Sequence, residues 1–269
     1  MAHVRSPGGA PDTYASWMGD ASVVDEMMAN AWPPQVVERV GSWRYRWASG
    51  VTRRANSVLA IREAGDVDEL IARAERFYKS RDARRLFQVT TASTPRSLVG
   101  VLEARGYRPT ARTLVSCTDA KVVVDSTMPA PGFVRRVDSQ PTAGWFETYW
   151  SVEKTRGRAP GDDAICRDVL LRPVLPTSFV SVVDGQEVIG VGQVVVEHGW
   201  AGVQCMATPP AHRRRGAGSA VLNALAVEAL ARGAERMYLA VMADNAGARS
   251  LYERAGFRPA HDYCYYAAP

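Results

Sequence analysis

Two short segments of the chain, 150 residues apart, carry the same pattern of residues. Residues 102–109 read LEARGYRP and residues 252–259 read YERAGFRP. In both, a helical pattern ends at a glycine, which adopts the left-handed C-cap conformation at little cost. An aromatic residue then leads into a strand pattern, RTLVSC in the first segment and DYCYYA in the second. The repeat predicts that the protein contains two copies of one folding unit.

The second copy has the clearer pattern of secondary structure. Asp184-Gly185 interrupts two apolar runs, as in a β-hairpin. The other expected elements, in order, are a strand at 200–207, a loop TPPAHRRRGAG, a helix at 219–232 ended by Gly233, a strand at 237–242 and a helix at 245–255.

The first copy repeats this order more loosely. Its expected elements are a strand at 56–61, an acidic loop REAGDVDE, a helix at 67–79, a strand at 86–90 and a helix at 95–105. Residues 122–133, VVVDSTMPAPGF, are rich in proline and glycine near their end, which favours a linker between the copies.

Composition is that of an ordinary globular protein. The 269 residues are 46% hydrophobic and 23% charged, which excludes a largely disordered or fibrous chain and suits two domains. We expect a cytoplasmic location, because no membrane span or apolar signal segment is visible. The net charge of +5 suits a phosphate-bearing ligand as well as nucleic acid, so by itself it selects neither.

The four cysteines, at 117, 166, 205 and 264, lie far apart in the sequence. They form no CxxC pair and no histidine cluster accompanies them, so we expect reduced, buried thiols and no metal site.

The loop from Arg213 to Gly218 has the composition of an anion site. It joins a strand to a helix, where unpaired backbone N–H groups and the positive end of the helix dipole favour negative charge. Glycines allow the backbone to approach a ligand closely, and arginine adds paired donors for phosphate oxygens. The GK[ST] ending of a nucleotide P-loop is absent, and a dinucleotide fold would need GxGxxG early in a βαβ unit.

The segment 201–260 resembles the acetyl-CoA-dependent N-acetyltransferases of the GNAT superfamily. Arg213, Gly216 and Gly218 match the family motif [QR]xxGx[GA], which opens the helix that holds the coenzyme A pyrophosphate. A second motif, a helix with asparagine, alanine and tyrosine followed by Gly-Phe, is matched by Asn245, Ala248, Tyr252, Gly256 and Phe257.

The resemblance, with the repeat, implies an α/β (α+β) fold of two GNAT-like domains, each with a mixed, mostly antiparallel sheet flanked by helices. We expect a degenerate domain at residues 1–130 and a catalytic domain that binds acetyl-CoA at residues 131–269.

The resemblance also implies roles for individual residues toward coenzyme A. The strand before the loop would splay and bind pantetheine through its backbone, and N–H groups of 214–219 would take the pyrophosphate. Arg214 and Arg215 would reach the 3′-phosphate or remain solvated. The implied coenzyme-binding set is Met206, Ala207, Thr208, Arg213, Arg214, Arg215, Gly216, Ala217, Gly218, Ser219, Asn245, Ala248 and Tyr252.

Two of these residues have alternative interpretations. Asn245 would hydrogen-bond near the pantetheine arm, or cap the following helix, or do both. Tyr252 is the implied catalytic residue, because a phenol keeps its proton at pH 7 and can donate it to the departing thiolate. The alternative for Tyr252 is a core aromatic residue.

The implied reaction is direct attack of a neutral amine on the thioester, with backbone N–H groups stabilising the oxyanion. A base would remove the amine proton, and the sequence does not identify it. The residues considered for that role are Glu197, His198, Asp262, Tyr263 and Tyr265. Cys205 as an acyl-bearing nucleophile is a weaker alternative, because no histidine partner is identifiable.

We expect the acceptor pocket near the helices that follow Gln140. An aromatic cluster there is first a core face, although one or two members could line the pocket. The residues concerned are Trp145, Phe146, Tyr149 and Trp150, followed by Glu153, Lys154 and Arg156.

The first copy lacks every chemical position of the second. Arg213, Gly216 and Gly218 correspond to Glu63, Asp66 and Asp68, whose carboxylates would repel a pyrophosphate; Asn245 and Tyr252 correspond to Pro95 and Leu102. We therefore expect the first copy to serve packing or the shape of the acceptor cleft. A tandem chain could satisfy internally the contact that dimeric relatives make, so either a monomer or a homodimer is compatible.

The expected function is transfer of an acetyl group from acetyl-CoA to a small-molecule amine, without a metal and without a membrane partner. Two alternatives remain open at this point. The same fold could use an acyl-carrier-protein or acyl-tRNA donor, although nucleic acid is not favoured, or the chain could be a non-catalytic coenzyme A-binding regulator.

Overall fold

The computed structural model of the chain describes residues 21–62, 65–127 and 132–269. The elements of the first half, in chain order, are α1 (Ala21–Asn30), β1 (Val36–Val40), β2 (Trp43–Trp47), β3 (Val58–Leu59), α2 (Val67–Lys79), β4 (Leu86–Thr90), α3 (Leu98–Ala104), β5 (Arg108–Asp119) and α4 (Ala120–Ser126). Those of the second half are β6 (Val134–Asp138), α5 (Ala143–Glu153), α6 (Asp162–Leu171), β7 (Thr177–Asp184), β8 (Glu187–Glu197), β9 (Trp200–Ala207), α7 (Ala217–Ala231), β10 (Arg236–Met242), α8 (Ala246–Arg254) and β11 (Arg258–Ala267).

The strands form one sheet in the order β1-β2-β3-β4-β11-β5-β10-β9-β8-β7-β6. Among the described strands, neighbours run antiparallel except in two pairs, β3 with β4 and β9 with β10. The expected α/β fold, with mostly antiparallel pairing and flanking helices, is confirmed.

The repeat of the sequence is also a repeat of the structure. Helix α2 begins at Val67 and α7 at Ala217, strand β4 begins at Leu86 and β10 at Arg236, and β5 and β11 begin at Arg108 and Arg258. In each half the strand before the helix is parallel to the strand after it.

Both copies of the repeated motif end their helix in the same way. Gly106 has φ +87° and Gly256 has φ +94°, and the next residue's N–H returns to the helix in both, from Tyr107 to the carbonyl of Leu102 and from Phe257 to that of Tyr252. The predicted glycine C-caps are therefore confirmed.

The two halves exchange their last strands, which the sequence did not predict. Strand β11, from the second half, lies between β4 and β5, and β5, from the first half, lies between β11 and β10. The register runs from Tyr263 opposite Thr90 on one side of the junction to Met242 opposite Thr113 on the other. Backbone hydrogen bonds therefore join the halves along several strands.

The predicted linker at 122–133 is wrong in its first part. Residues 120–126 form α4, which packs against α7: Val123 is fully buried, and the Asn223 side chain of α7 donates hydrogen bonds to the carbonyls of Val124 and Thr127. The proline-rich part, with the expected 130/131 domain boundary, lies at 128–131, outside the described residues.

The other differences between the predicted and the observed secondary structure are smaller. The strand expected at 56–61 is limited to Val58–Leu59, with an isolated bridge from Ile61 to Ser93. Helix α1 was not expected; it lays Val24, Met27 and Met28 on the central strands. Within the described residues, no helix has both the length and the apolar character that a bilayer crossing requires.

Candidate active site

The parallel strands β9 and β10 diverge part-way along their length. They pair from Trp200 opposite Arg236 to Val203 opposite Leu239, and no pairing between them continues beyond that point in the described chain. Strand β9 remains on β8, and β10 remains on β5. A wedge therefore opens at the carboxyl ends of the two strands, as the splay implied by the sequence resemblance requires.

A bulge marks the side of the wedge formed by β9. Gln193 of β8 lies opposite Gln204, but Val191 lies opposite Ala207, so β9 has one residue more than its partner over this stretch. Cys205 absorbs the extra residue with φ +53°. Bulges leave backbone groups outside the ladder, and this one lies immediately before Met206, Ala207 and Thr208.

The loop after β9 turns sharply into helix α7. Arg214 and Gly216 both have left-handed φ angles, +60° and +87°. Gly216 is the N-cap residue and provides no side-chain acceptor, and in the described structure no acceptor is assigned to the first-turn N–H groups of 217–219. Unpaired N–H donors and the positive end of the helix dipole both favour negative charge at this end of α7. Gly218 is closely packed: a Cβ atom there would lie 3.1 Å from Leu251 Cδ2.

The corresponding helix of the first half is capped by its own carboxylate. Asp66 is the N-cap of α2, and its Oδ1 accepts hydrogen bonds from the backbone N–H groups of Asp68 at 2.9 Å and Glu69 at 3.3 Å. The donors that are free on α7 are thus occupied on α2, and Asp68 and Glu69 add negative charge to the same turn.

The three arginines of the loop differ in their partners. Arg213 Nε donates to the carbonyl of Thr208 at 3.2 Å, which closes the loop. Arg215 forms an ion pair with Asp184 at 2.6 Å. Arg214 is exposed and has no ion-pair partner among the described residues, so its guanidinium is available to a ligand.

Asn245 caps helix α8. Its Oδ1 accepts a hydrogen bond of 3.2 Å from the N–H of Ala248, which is the capping geometry anticipated as one of its two roles.

Tyr252 lies on the inner side of α8 and is 9% exposed. Its ring packs edge-on against Phe257, with 6.0 Å between the centroids. Burial raises the pKa of Tyr252 to about 12, against a weak opposing effect of Arg156. Among the described residues the hydroxyl has no hydrogen-bond partner, so it is a protonated donor without an acceptor.

The sequence of this region matches a known protein family. Residues 142–257 match the sequence model of the acetyltransferase (GNAT) family. This half of the chain belongs to the GNAT acetyltransferases. A curated relative, the uncharacterized N-acetyltransferase YobR of Bacillus subtilis, is 28% identical over 248 residues, 92% of this chain and 98% of its own length.

Solved structures agree on the fold. A GCN5-related N-acetyltransferase from Kribbella flavida superposes with a TM-score of 0.69 at 17% identity, over 94% of this chain and 96% of its own. A tandem GNAT protein from the clavulanic acid biosynthesis pathway superposes with a TM-score of 0.64 at 13% identity, over 91% and 87%. These two likenesses are in fold and extend over both halves of the chain, whereas the match to the GNAT acetyltransferase family covers residues 142–257.

The aromatic cluster of α5 in the GNAT domain is mainly core, as expected first. Trp145, Phe146 and Tyr149 are buried, and Trp145 Nε1 donates to the carbonyl of Gly192 at 3.2 Å. Trp150 is half-buried and stacks on Phe146.

The charged residues behind this cluster are largely paired. Glu153 is buried and forms ion pairs of 2.8 Å with both Arg156 and Arg158. Lys154 is exposed. The carboxylate of Glu153 is therefore engaged by two guanidinium groups and is not free to contact a substrate.

Cys205 lies in the bulge, but its chemistry does not favour a nucleophile. Burial raises the pKa of its thiol well above the usual value, and the nearby Cys166 adds to this effect. The Sγ atom lies 3.6 Å from Gln193 Oε1. A thiol held protonated is weakly nucleophilic, which argues against an acyl-cysteine intermediate.

The candidate bases differ in their surroundings. One oxygen of Glu197 accepts a hydrogen bond from Asn30 at 2.9 Å, while its other oxygen is buried without a partner in the described structure. The His198 side chain is 86% exposed. Asp262 pairs with Arg112 at 2.6 Å.

Tyr263 and Tyr265 are buried and pack edge-to-face, with 5.5 Å between centroids. Burial raises the pKa of Tyr265 well above its ordinary value. Tyr265 is therefore not a ready proton acceptor at neutral pH.

Sequence reasoning missed the contribution of the first half to this region. Trp32, Ala48, Val51 and Ala55 lie in one buried cluster with α5, and Cys205 packs against that cluster. No signal in the sequence indicates this contact, because these residues are small or apolar and far from the GNAT motifs. Among the described residues, no group of histidine, cysteine and carboxylate side chains is arranged to hold a metal ion.

Proposed function

We propose that the chain transfers an acetyl group from acetyl-CoA to the amine of a small molecule, with both substrates bound at once. The observation that carries this proposal is the uncapped amino end of α7, directly after a strand that diverges from its neighbour. In this arrangement a pyrophosphate and a reactive thioester can lie at the two ends of one extended ligand.

In this proposal residues 131–269 form the catalytic unit and bind the donor. Backbone N–H groups of 214–219 take the pyrophosphate, while Arg214 adds charge for a further phosphate. The backbone of Met206–Thr208, on the side of β9 that no longer pairs with β10, binds pantetheine. Gly218 supports this placement, because its contact with Leu251 leaves little space for a side chain.

The chemistry then follows from the residues at the wedge. The neutral amine forms a bond to the thioester carbonyl carbon, and backbone N–H groups at the bulge stabilise the negative oxygen. When the C–S bond breaks, the sulfur takes the bonding electrons and accepts the Tyr252 proton. The nitrogen loses one proton to water, and that proton restores the Tyr252 phenol, so the products are a neutral amide and a free thiol. A phenol with pKa about 12 keeps that proton until a strong acceptor develops.

Residues 1–130 form the degenerate unit and bind no second donor. Asp66 already satisfies the N–H groups that a pyrophosphate would need. Their proposed contribution is to the sheet and to the acceptor side of the wedge.

The experiment is incubation of the full chain with radiolabelled acetyl-CoA and a panel of small amines, with separation of labelled products and measurement of free thiol. We expect a labelled amide and one thiol for each amide. If acetyl-CoA gives no product while an acyl-carrier-protein or acyl-tRNA donor does, the donor assignment is wrong. If coenzyme A binds but no donor reacts, the chain is a binding protein.

A further inference from the structure

We infer that Arg54, from the first half of the chain, binds a carboxylate group of the acceptor, so that the acceptor is an amino acid-like molecule. This inference rests on the proposed function and specifies the substrate class. Arg54 lies in the segment between β2 and β3.

This segment is held against the GNAT domain. Val51 and Ala55 lie in the buried cluster that includes Tyr149 of α5 and Ala207 of β9, and Cys205 packs against the cluster. The first half thus extends to the β9 side of the wedge, where the acceptor must meet the thioester.

Hydrogen bonds from one buried side chain also hold the segment rigidly. The buried amide of Asn56 accepts hydrogen bonds from the N–H groups of Ala48 and Gly50, at 2.7 and 3.0 Å. The same amide donates to the carbonyls of Val51 and Thr52, at 2.7 Å each. Residues 48–56 therefore have a fixed conformation and present Arg54 in a defined direction.

The guanidinium of Arg54 lies over the Trp32 ring, with its carbon 5.0 Å from the centroid. Trp32 is itself fixed, because its Nε1 donates to Thr52 Oγ1 at 3.1 Å. The positive charge lowers the pKa of Cys205, Tyr238 and Tyr265, in each case against a larger rise caused by burial. Trp32 belongs to the same buried cluster as Ala207 of β9, so the ring beneath Arg54 ties it to the β9 side of the wedge.

Unlike Arg46, Arg156 and Arg158, Arg54 is held by no polar side chain of the described structure. Arg46 is held by Ser57 and Gln88, and Arg156 and Arg158 both pair with Glu153. Arg54 is half-buried, yet no described carboxylate lies within ion-pair distance of it. A partly desolvated cation without a counter-charge is costly, and a bound anion removes that cost.

A carboxylate matches this site better than a phosphate. A guanidinium pairs with a carboxylate through two parallel hydrogen bonds, and one cation balances one negative charge. A phosphate dianion would carry one more negative charge than the single cation of Arg54 balances.

The test compares two acceptors of equal length, an ω-amino acid such as 5-aminopentanoate and the corresponding alkylamine, pentylamine, whose amines have similar basicity. We expect kcat/KM to be higher for the amino acid. Arg54→Gln should lower kcat/KM for the amino acid by about 10–100-fold, mainly through KM, and should affect pentylamine far less. Arg54→Lys should keep part of the preference, and the exposed neighbour Arg53→Gln serves as the control.

Two further measurements make the outcomes distinguishable. Coenzyme A titration should give the same affinity in Arg54→Gln as in the unmodified chain, and 5-aminopentanoate should raise the melting temperature of the coenzyme A complex only when Arg54 is present. Equal losses for both acceptors, or no loss for either, would overturn the inference while leaving acetyl transfer intact. A preference for an aminoalkyl phosphate that Arg54→Gln abolishes would assign phosphate instead. Absence of both acetyl transfer and coenzyme A binding would overturn the proposed function itself, and an unchanged melting temperature would then count against Arg54 separately.

Discussion

Tyr252 and Leu102 occupy equivalent positions in the two copies and have the same backbone hydrogen bonding, but their side chains differ. In both places the carbonyl accepts the N–H of the aromatic residue that follows the C-cap glycine. Leu102 is fully buried, whereas Tyr252 has a hydroxyl to which the described structure assigns no hydrogen-bond partner. The Tyr252 hydroxyl is not among the fully buried polar atoms that lack a partner in the described structure, so its oxygen is accessible to water or to a ligand. We therefore interpret it as a donor to a ligand rather than as a packing group.

Tyr252→Phe tests that explanation, because it retains the ring and removes only the hydroxyl. We expect kcat to fall by about 100-fold, the lower end for general acid catalysis, because a thiolate is a fairly good leaving group. Binding of acetyl-CoA should change little. The measurement is steady-state kinetics together with calorimetry of donor binding.

A matched control is Tyr107→Phe, which removes a buried hydroxyl bonded to Glu75 in the first half. It should cost stability and leave kcat near normal. A Tyr252→Phe variant with near-normal kcat would show that water or another group protonates the thiolate.

Helices α2 and α7 are equivalent elements whose first turns have opposite character. Asp66 places a carboxylate on the N–H groups of α2, and Gly216, at the corresponding position, leaves those of α7 free. The difference between a capped and an open helix end is one residue, and it decides which half can hold a pyrophosphate.

Gly216→Asp converts the open end into the capped one. Aspartate tolerates the left-handed conformation better than most residues, so the helix should form and the melting temperature should change little. Coenzyme A affinity should fall by about 100-fold or more, because the new carboxylate occupies the donors and repels the phosphates. Isothermal titration measures the loss.

Gly216→Asn is the neutral control with the same shape, and it should lose less affinity than Gly216→Asp. Equal affinity in Gly216→Asp and the unmodified chain would contradict the phosphate site.

The helices and strands were predictable where local patterns decide them. The apolar stripe fixed α2 at 67–79, and alternating apolar residues fixed β9 at 200–207. The strand WRYRW of β2 was not predicted, because Arg44 and Arg46 are buried through partners distant in the sequence, such as Glu26 and Gln88. The proline signal at 128–131 obscured the helix just before it.

The candidate site was predictable to the extent that it lies in contiguous motifs. The loop at 213–218 and the position of Tyr252 could be read from the sequence, whereas the Asp66 cap could be read only as acidic character. The segment around Arg54 could not be predicted, because its contact with the wedge depends on the fold of both halves.

At the scale of the whole molecule, the exchange of β5 and β11 joins the two copies into a single sheet. The sequence could not predict it, because β5 and β11 have similar patterns and either could pair with β4 or β10. The exchange joins the two copies within one chain through the pairing of β11 with β4 and β5 and of β10 with β5.

The pairing of β11 with β4 can be tested by a disulfide. Val89 of β4 lies opposite Cys264 of β11, and directly opposed residues in antiparallel strands have Cα separations suited to a disulfide. Val89→Cys should therefore form a cross-link with Cys264 under mild oxidation, detected by mass spectrometry of a non-reducing digest. Gln88→Cys, whose side chain points to the other face, should not. Absence of the Val89→Cys link would argue that β4 pairs with β5 instead.

Stability should decrease at alkaline pH because several buried acids have raised pKa values. Burial raises the pKa of Cys166 to about 11 and that of Cys117, Tyr45 and Tyr252 to about 12, from ordinary values of 9.0 for thiols and 10.0 for phenols. Below pH 9 these groups are protonated in both states and their contribution is fully present. Above it the unfolded chain loses protons that the folded chain retains, so the free energy of unfolding should fall from pH 9 toward pH 12. Urea unfolding at pH 8, 9, 10 and 11 measures this; a constant value would contradict the burial of these groups.

The central claim is that one donor site exists per chain and that it lies at the amino end of α7. Calorimetric titration of the full chain with coenzyme A tests it most directly, with Gly216→Asp titrated in parallel. The account predicts one equivalent bound by the unmodified chain and no measurable binding by the variant. Two equivalents, or undiminished binding by Gly216→Asp, would contradict it.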